Sequence, residues 1–366
     1  MSYKNNSVYK KIMQHNPVIE KEYVSEILKL SKEEYIRDIQ ITDVVESNTA
    51  LTMKAEVRIE SPSSNYIKKL FIKTVTTNDN RNGYCEMSLR EGYFYQFVHA
   101  SKCENIPIPT CYDAYVNTET KDFVIILEDI SDSYQMLSQE KMCEEEYWFS
   151  CAESLAKLHA KFWNNYNQNT NQIKMCNSDD LDRSIQENHE HLKHFLREYG
   201  DNFNERIEKI FKQAMKINDE LMRERIVKNH LKENVTICNG DSHIYNFMIS
   251  KDEKKLPVIV DFQFWSEGYG TGDLAHLTRV SFPEQLKKEM QLKLVKYYYE
   301  KLVQYGVTGY TWEDCLKDYR KDVAAMVLIP LWQACCFGVK YEEWRPEVDG
   351  LVDNFEYMGC EKLLLI

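Results

Sequence analysis

The chain has 366 residues, 43% of them hydrophobic and 28% charged, and a net charge of −12. That length accommodates two lobes with substantial cores, and the acidic balance excludes nucleic acid as a partner, because phosphates demand a basic surface. The polar start, Met1-Ser-Tyr-Lys, has no apolar leader, the longest apolar run (Val323 to Trp332) is too short to span a membrane, and eleven cysteines without a Cys-x-x-Cys pair imply reduced thiols and a cytoplasmic location.

Ile39 to Val45 reads as a strand. Leu51 to Ile59 alternates strictly, with Leu51, Met53, Ala55, Val57 and Ile59 on one side and Thr52, Lys54, Glu56 and Arg58 on the other. This period of two predicts a half-buried antiparallel strand. Glu46-Ser47-Asn48-Thr49 makes the turn between them. Leu70 to Val75 is a third strand, carrying Lys73 near its end. Met87, Glu91, Phe94 and Val98 then recur at helical spacing, which places a carboxylate inside an apolar stripe. Such a group needs a cationic partner, or its desolvation is costly. Phe123 to Leu127 has the pattern of a buried strand and leaves through Glu128-Asp129-Ile130. We expect a boundary near residue 130, with a mostly β lobe over 1–130 and a mainly helical lobe over 131–366.

Trp148, Cys151, Leu155, Leu158 and Phe162 form the stripe of a helix ending near Trp163. Leu181 to Lys228 is charged and helical. Within it, only His191 and His194 of the trio His189, His191 and His194 would share a helix face, so the trio reads as solvated surface, not a metal site. Further helices are predicted over Pro283 to Tyr305 and Thr311 to about Val339.

The chemistry-bearing segment begins at Val235. One apolar strand delivers Asn239-Gly240-Asp241, Asn246 follows five residues after Asp241, and a second apolar strand ends at Asp261. Phosphoryl transfer from ATP uses a carboxylate to orient or deprotonate the attacking hydroxyl. It also needs an amide oxygen and a carboxylate to hold Mg²⁺ on the phosphates. A lone Gly-Asp is usually a turn; the ordered set Asp241, Asn246, Asp261 is far more specific. Asp273 follows Asp261 by only twelve residues, with no room for the activation segment that shapes a peptide site in protein kinases. A small-molecule acceptor is favoured.

These residues resemble the aminoglycoside phosphotransferase and choline kinase branch of the protein-kinase-like fold, most closely its ecdysteroid-kinase-like group. Those families carry His-Gly-Asp, an Asn five residues on, an Asp at a strand end, then Gly shortly before Asp-Leu-Ala; here the last element is Gly272-Asp273-Leu274-Ala275-His276. The likeness covers about residues 40 to 280 and is densest between 235 and 277. Asn239 stands where the family usually has His, which mainly supports loop geometry. Leu155-Ala-Lys-Leu-His159-Ala is similar to the family's Leu-Ala-x-Leu-His-Ala helix, with His159 a packed core residue.

The resemblance implies a two-lobed α+β fold and an ATP-dependent small-molecule kinase. It makes Asp241 the catalytic carboxylate and gives Mg²⁺ to Asn246 and Asp261. Lys73, paired with Glu91, would take the α- and β-phosphates. Ser47 and Asn48 would cover the phosphates, although an ordinary hairpin turn fits them equally well, and the Glu128 segment would be the hinge for adenine. Asp273 would be a structural carboxylate that accepts backbone N–H bonds. The acidic chain and Trp265, Trp332 and Trp344 suggest a cationic hydroxyl acceptor, of aminoglycoside or choline type, through indole–cation contacts. A neutral acceptor, a choline or ethanolamine-type metabolic kinase, and a catalytically idle ATP-binding module are the competing readings.

Overall fold

The computed structural model describes residues 5–13, 17–47, 50–75, 85–103, 105–165, 178–252, 254–279 and 287–365. The chain divides into two compact units. The first takes the residues up to 135, together with Met248–Trp265. It opens with two short helices, α1 (Asn5–Ile12) and α2 (Lys21–Ile27), followed by β1 (Tyr35–Glu46), β2 (Leu51–Glu60) and β3 (Asn65–Thr74). Helix α3 (Cys85–Ala100) precedes β4 (Cys111–Asn117), β5 (Asp122–Glu128) and the short β6 (Tyr134–Met136).

Strands β1 to β5 form one antiparallel sheet in the order β1-β2-β3-β5-β4. The alternation in β2 is realised as expected: Leu51, Met53, Ala55, Val57 and Ile59 are all buried. They pack with Leu70, Ile72, Val124 and Ile126 of the neighbouring strands and with Tyr9, Ile12, Tyr23 and Val24 of the two leading helices. Both helices are also tied to the sheet by polar contacts. The hydroxyls of Tyr9 and Tyr23 donate to Asp113 Oδ2 on β4 at 2.7 and 2.5 Å.

The second unit is mainly helical. It contains α4 (Glu145–Phe162), α5 (Ser178–Tyr199) and α6 (Glu205–Leu231). The charged stretch that reads as continuous helix is interrupted at Gly200–Asn202, and Asn204 restarts it by accepting a hydrogen bond from the Ile207 amide, as an N-cap does. Strand β7 (Thr236–Cys238) then leads into the loop carrying Asp241. Beyond the loop, β8 (Phe247–Ser250) and β9 (Val258–Ile259) join β6 in a small sheet of order β6-β8-β9. From Met248 to Trp265 the chain belongs to the first unit, where Ile259 N donates to Pro107 O at 2.7 Å and Lys251 N to Ser133 O at 2.9 Å.

Strand β10 (Ser266–Gly268) pairs antiparallel with β7, Ser266 facing Cys238. Among the described residues, five helices complete the second unit: α7 (Gly270–Arg279), α8 (Lys287–Gln304), α9 (Trp312–Met326), α10 (Ile329–Cys336) and α11 (Tyr341–Tyr357). The single helix expected from Thr311 to Val339 is in fact two. A Thr311–Asp314 capping box starts α9, and the chain breaks at Val327 and Leu328, just before Pro330 in the first turn of α10. Proline has no N–H to continue a helix but fits its first turn. Among the described residues no helix is long and apolar enough to cross a membrane.

Candidate active site

In the first unit, β3 and α3 bring Lys73 and Glu91 together. Lys73 Nζ lies 2.5 Å from Glu91 Oε2 and 3.8 Å from Asp261 Oδ1, with side-chain exposures of 14%, 5% and 33% for the three residues. Glu91 also accepts from the backbone N–H of Phe262. Burial alone would strip the charge from Lys73, yet the carboxylates of Glu91 and Asp261 hold its pKa above the ordinary lysine value. The ammonium is therefore fixed as a cation. Asp261 follows β9 with φ of 59°, a left-handed backbone that Asp tolerates better than most residues. Strained backbone of this kind is concentrated at functional sites.

Helix α3 is clasped to the residues just after Asp261. Arg90 Nη2 donates to Trp265 O, and Trp265 Nε1 donates back to Arg90 O, both at 2.6 Å. The rings of Phe94 and Phe262 stack with centroids 3.7 Å apart and planes within 5°. Gly92 is required on the opposite side, since a Cβ there would lie 2.5 Å from Val116 Cγ2.

In the second unit, Asp273 organises the loop after β7. Sitting in the first turn of α7, it accepts from Asn239 N at 2.6 Å and Gly240 N at 2.8 Å, and its Oδ2 lies 3.1 Å from His159 Nε2. His159 Nδ1 reaches the Tyr298 hydroxyl at 2.7 Å, and its carbonyl accepts from Thr236 Oγ1. Gly240 takes φ of 83°, which turns the chain so that both amides face one carboxylate. Gly270 must be glycine for another reason: a Cβ would overlap the Tyr298 hydroxyl and stand 2.5 Å from His159 Nδ1.

Asn239 takes the supporting role at the position where the family usually has His. Its Oδ1 accepts from Asp241 N at 3.1 Å and Ser242 Oγ at 3.3 Å, closing a local turn. Asn246 Nδ2 donates to the Asp241 carbonyl at 2.8 Å, so the amide oxygen is the atom this side chain can offer elsewhere. The Asp241 carboxylate is 24% exposed and is flanked by two imidazoles, His243 Nε2 at 3.6 Å and His276 Nε2 at 3.5 Å. The role of His276 was not drawn from the sequence, although its place three residues after Asp273 puts both on one face of α7.

Of the other expected residues, Ser47 closes the β1–β2 turn. Its N–H and its hydroxyl both reach Ala50 O, and its Oγ accepts from Ala50 N. Asn48 lies outside the described residues. Glu128 N donates to Thr110 O at 2.9 Å, and its side chain accepts from Thr110 Oγ1 at 2.8 Å. The tryptophans correct one expectation. Trp265 and Trp344 are only 1% and 0% exposed, their faces covered by core packing, and so present no surface to a cationic ligand. Trp332 is partly buried and donates to Asn188 Oδ1.

His159, Cys238 and Asp273 come close enough to suggest a metal centre. Each is already engaged: Asp273 by two amides, His159 by Tyr298, and Cys238 by the Tyr269 carbonyl at 3.3 Å. The cluster is a core network. His189 pairs with Asp219 at 2.7 Å and His194 with Glu198 at 3.4 Å, as surface residues do.

The sequence model of the Ecdysteroid kinase-like family matches residues 47–307. No curated protein matches the chain. Among solved structures it is similar to one from Ralstonia eutropha JMP134 named as a candidate aminoglycoside phosphotransferase, with 13% identity, TM-score 0.52, and coverage of 93% of this chain and 98% of that one. It is also similar to choline kinase from Cryptosporidium parvum Iowa II, with 11% identity, TM-score 0.51, and coverage of 89% and 90%. At such identities the likeness is one of fold: a two-lobed α+β protein-kinase-like fold with a β-rich N-terminal lobe and a helical C-terminal lobe.

Proposed function

The chain belongs to the ecdysteroid kinase-like family, and from that membership we propose that it transfers the γ-phosphate of ATP to a hydroxyl of a small molecule. The observation that carries the reading is the trio Lys73, Glu91 and Asp261, in which a largely buried lysine is kept charged by one buried and one partly exposed carboxylate. A buried charge cluster costs more than apolar packing unless something uses it. The lobes divide the work, with 1–130 binding nucleotide and 131–366 carrying catalysis and the acceptor.

Lys73 steadies the α- and β-phosphates while Glu91 fixes its ammonium. Ser47 and Asn48 cover the phosphates, and the backbone at Glu128 meets adenine. Asp241 orients the acceptor hydroxyl and takes its proton as the oxygen attacks the γ-phosphorus and ADP leaves. Asp261 and the amide oxygen of Asn246 are hard oxygen donors of the kind Mg²⁺ selects. When bound, the ion neutralises charge developing on the phosphates. Most of the rate enhancement comes from positioning and charge stabilisation.

The competing idle-module reading draws on Asn239 and on the absence of glycine from the Glu46-Ser47-Asn48-Thr49 turn. It is weakened because Asn239 builds the loop with its own hydrogen bonds. The relatives support a small-molecule hydroxyl acceptor: a choline kinase and a candidate aminoglycoside phosphotransferase share the fold, and the family takes its name from ecdysteroids. ADP release from MgATP, measured with choline, kanamycin and an ecdysteroid, separates amine alcohols from neutral polyols and either from an inert module. Asp241→Asn should keep the fold and nucleotide affinity and lose about 10² to 10⁴ in rate. Near-normal turnover in that variant would remove Asp241 from its role.

A further inference from the structure

His276 is placed to act on the catalytic carboxylate. It stands on α7, its side chain is 9% exposed, and its Nε2 lies 3.5 Å from Asp241 Oδ1. His243, on the loop itself, approaches Oδ2 from the same unit at 3.6 Å. Among the described residues the Nδ1 of each ring is buried and meets no hydrogen-bond partner. A neutral imidazole carries one ring proton, and the adjacent carboxylate draws it to Nε2.

Among the described residues, the charged and titratable groups around His276 are Asp241 and His243 from the loop, and Asp273 and Arg279 from its own helix. Arg279 is held in turn by Glu347 of α11 at 2.7 Å. Burial first, and then the Arg279 cation, push the His276 pKa down to about 3. The ring thus stays neutral at working pH, and it can orient the carboxylate without neutralising it.

We propose that His276 is a positioning residue for phosphoryl transfer: its Nε2–H is aimed at Oδ1 of Asp241 and holds that carboxylate in the rotamer that meets the acceptor hydroxyl. The inference rests on the phosphotransferase reading above. At 3.5 Å the contact is longer than a formed hydrogen bond. Catalytic hydrogen bonds in unliganded enzymes are often long and tighten with substrate.

His276→Phe keeps a ring of similar size and removes the nitrogen, whereas His276→Gln restores an N–H donor. With MgATP and whichever of choline, kanamycin or an ecdysteroid is turned over, His276→Phe should lower kcat by about 10- to 100-fold and leave the KM for ATP unchanged. His276→Gln should recover part of the loss. In long-range ¹H–¹⁵N spectra of the full chain, His276 should show the neutral Nε2–H tautomer at neutral pH, and its ring shifts should move in Asp241→Asn. An unchanged kcat in His276→Phe, an Nδ1–H tautomer, or a loss that follows melting temperature and is not rescued by Gln would overturn the proposal. A wild-type protein inert toward all three acceptors, whose His276 shifts still respond to Asp241→Asn, would overturn the phosphotransferase reading and this role in it, while the contact itself stands.

Discussion

Asp261 and Asp273 are twelve residues apart in the chain and are held by contrasting means. Asp261, in the first unit, keeps a 3.8 Å contact with a buried lysine and a third of its side chain exposed. Asp273, in the second, is 2% exposed at its side chain, and both its oxygens are taken by amides and an imidazole. Burial would raise the Asp273 pKa, but His159 and the N–H groups of Asn239 and Gly240 bring it below the ordinary carboxylate value. A carboxylate saturated by its own protein shapes backbone. One that meets a lysine cation at 3.8 Å with a third of its side chain exposed lies where a ligand can reach it.

The contrast can be broken by substitution. Asp273→Ala strands two buried amides and His159, and should cost about 3–5 kcal/mol of stability. Asp261→Asn keeps a residue that tolerates the left-handed backbone and should leave stability nearly unchanged while weakening Mg²⁺-dependent ATP binding. Denaturant midpoints with parallel nucleotide titrations decide, and comparable losses of stability in both variants would dissolve the distinction.

A smaller effect sharpens the first region alone. Lys73→Met leaves Glu91 buried without its cation, so adding Glu91→Gln should recover stability. The coupling energy in a double-mutant cycle should fall at about 1–3 kcal/mol. Strict additivity would mean that the pair does not act as a unit.

The smallest effect belongs to the second region and is read by pH. His276 holds its neutral form in the folded state down to about pH 3, against 6.5 for an ordinary histidine. The unfolded chain therefore binds the proton first, and this group's contribution to stability, complete above pH 6.5, is lost as pH falls through that window. Between pH 7 and 5.5 wild type should lose about 1 kcal/mol more than His276→Phe. Parallel acid-unfolding curves for the two proteins would refute the burial argument.

Much of this was legible in the residues. The alternation of Leu51 to Ile59 and the apolar stripe around Glu91 are local signals, and the structure realises both. Asp273 as a backbone acceptor and His159 as a packed core residue were expected from the family resemblance, and the structure places both so. The α9–α10 break was missed because apolar residues continue through it and only Pro330 marks the site. The tryptophans misled because composition carries no information on burial. The pairing of His276 with Asp241 depends on how α7 docks beside a loop some 35 residues earlier in the sequence, and periodicity does not report docking.

The clasp between α3 and the residues after Asp261 has a mechanical consequence. With Arg90 and Trp265 exchanging hydrogen bonds and Phe94 stacked on Phe262, Glu91 and Asp261 ride on one rigid body while Lys73 rides on the sheet. The backbones that carry the two carboxylates are thereby joined to each other, and the lysine meets them from a separate element, so a shift of α3 is transmitted to the segment that holds Asp261.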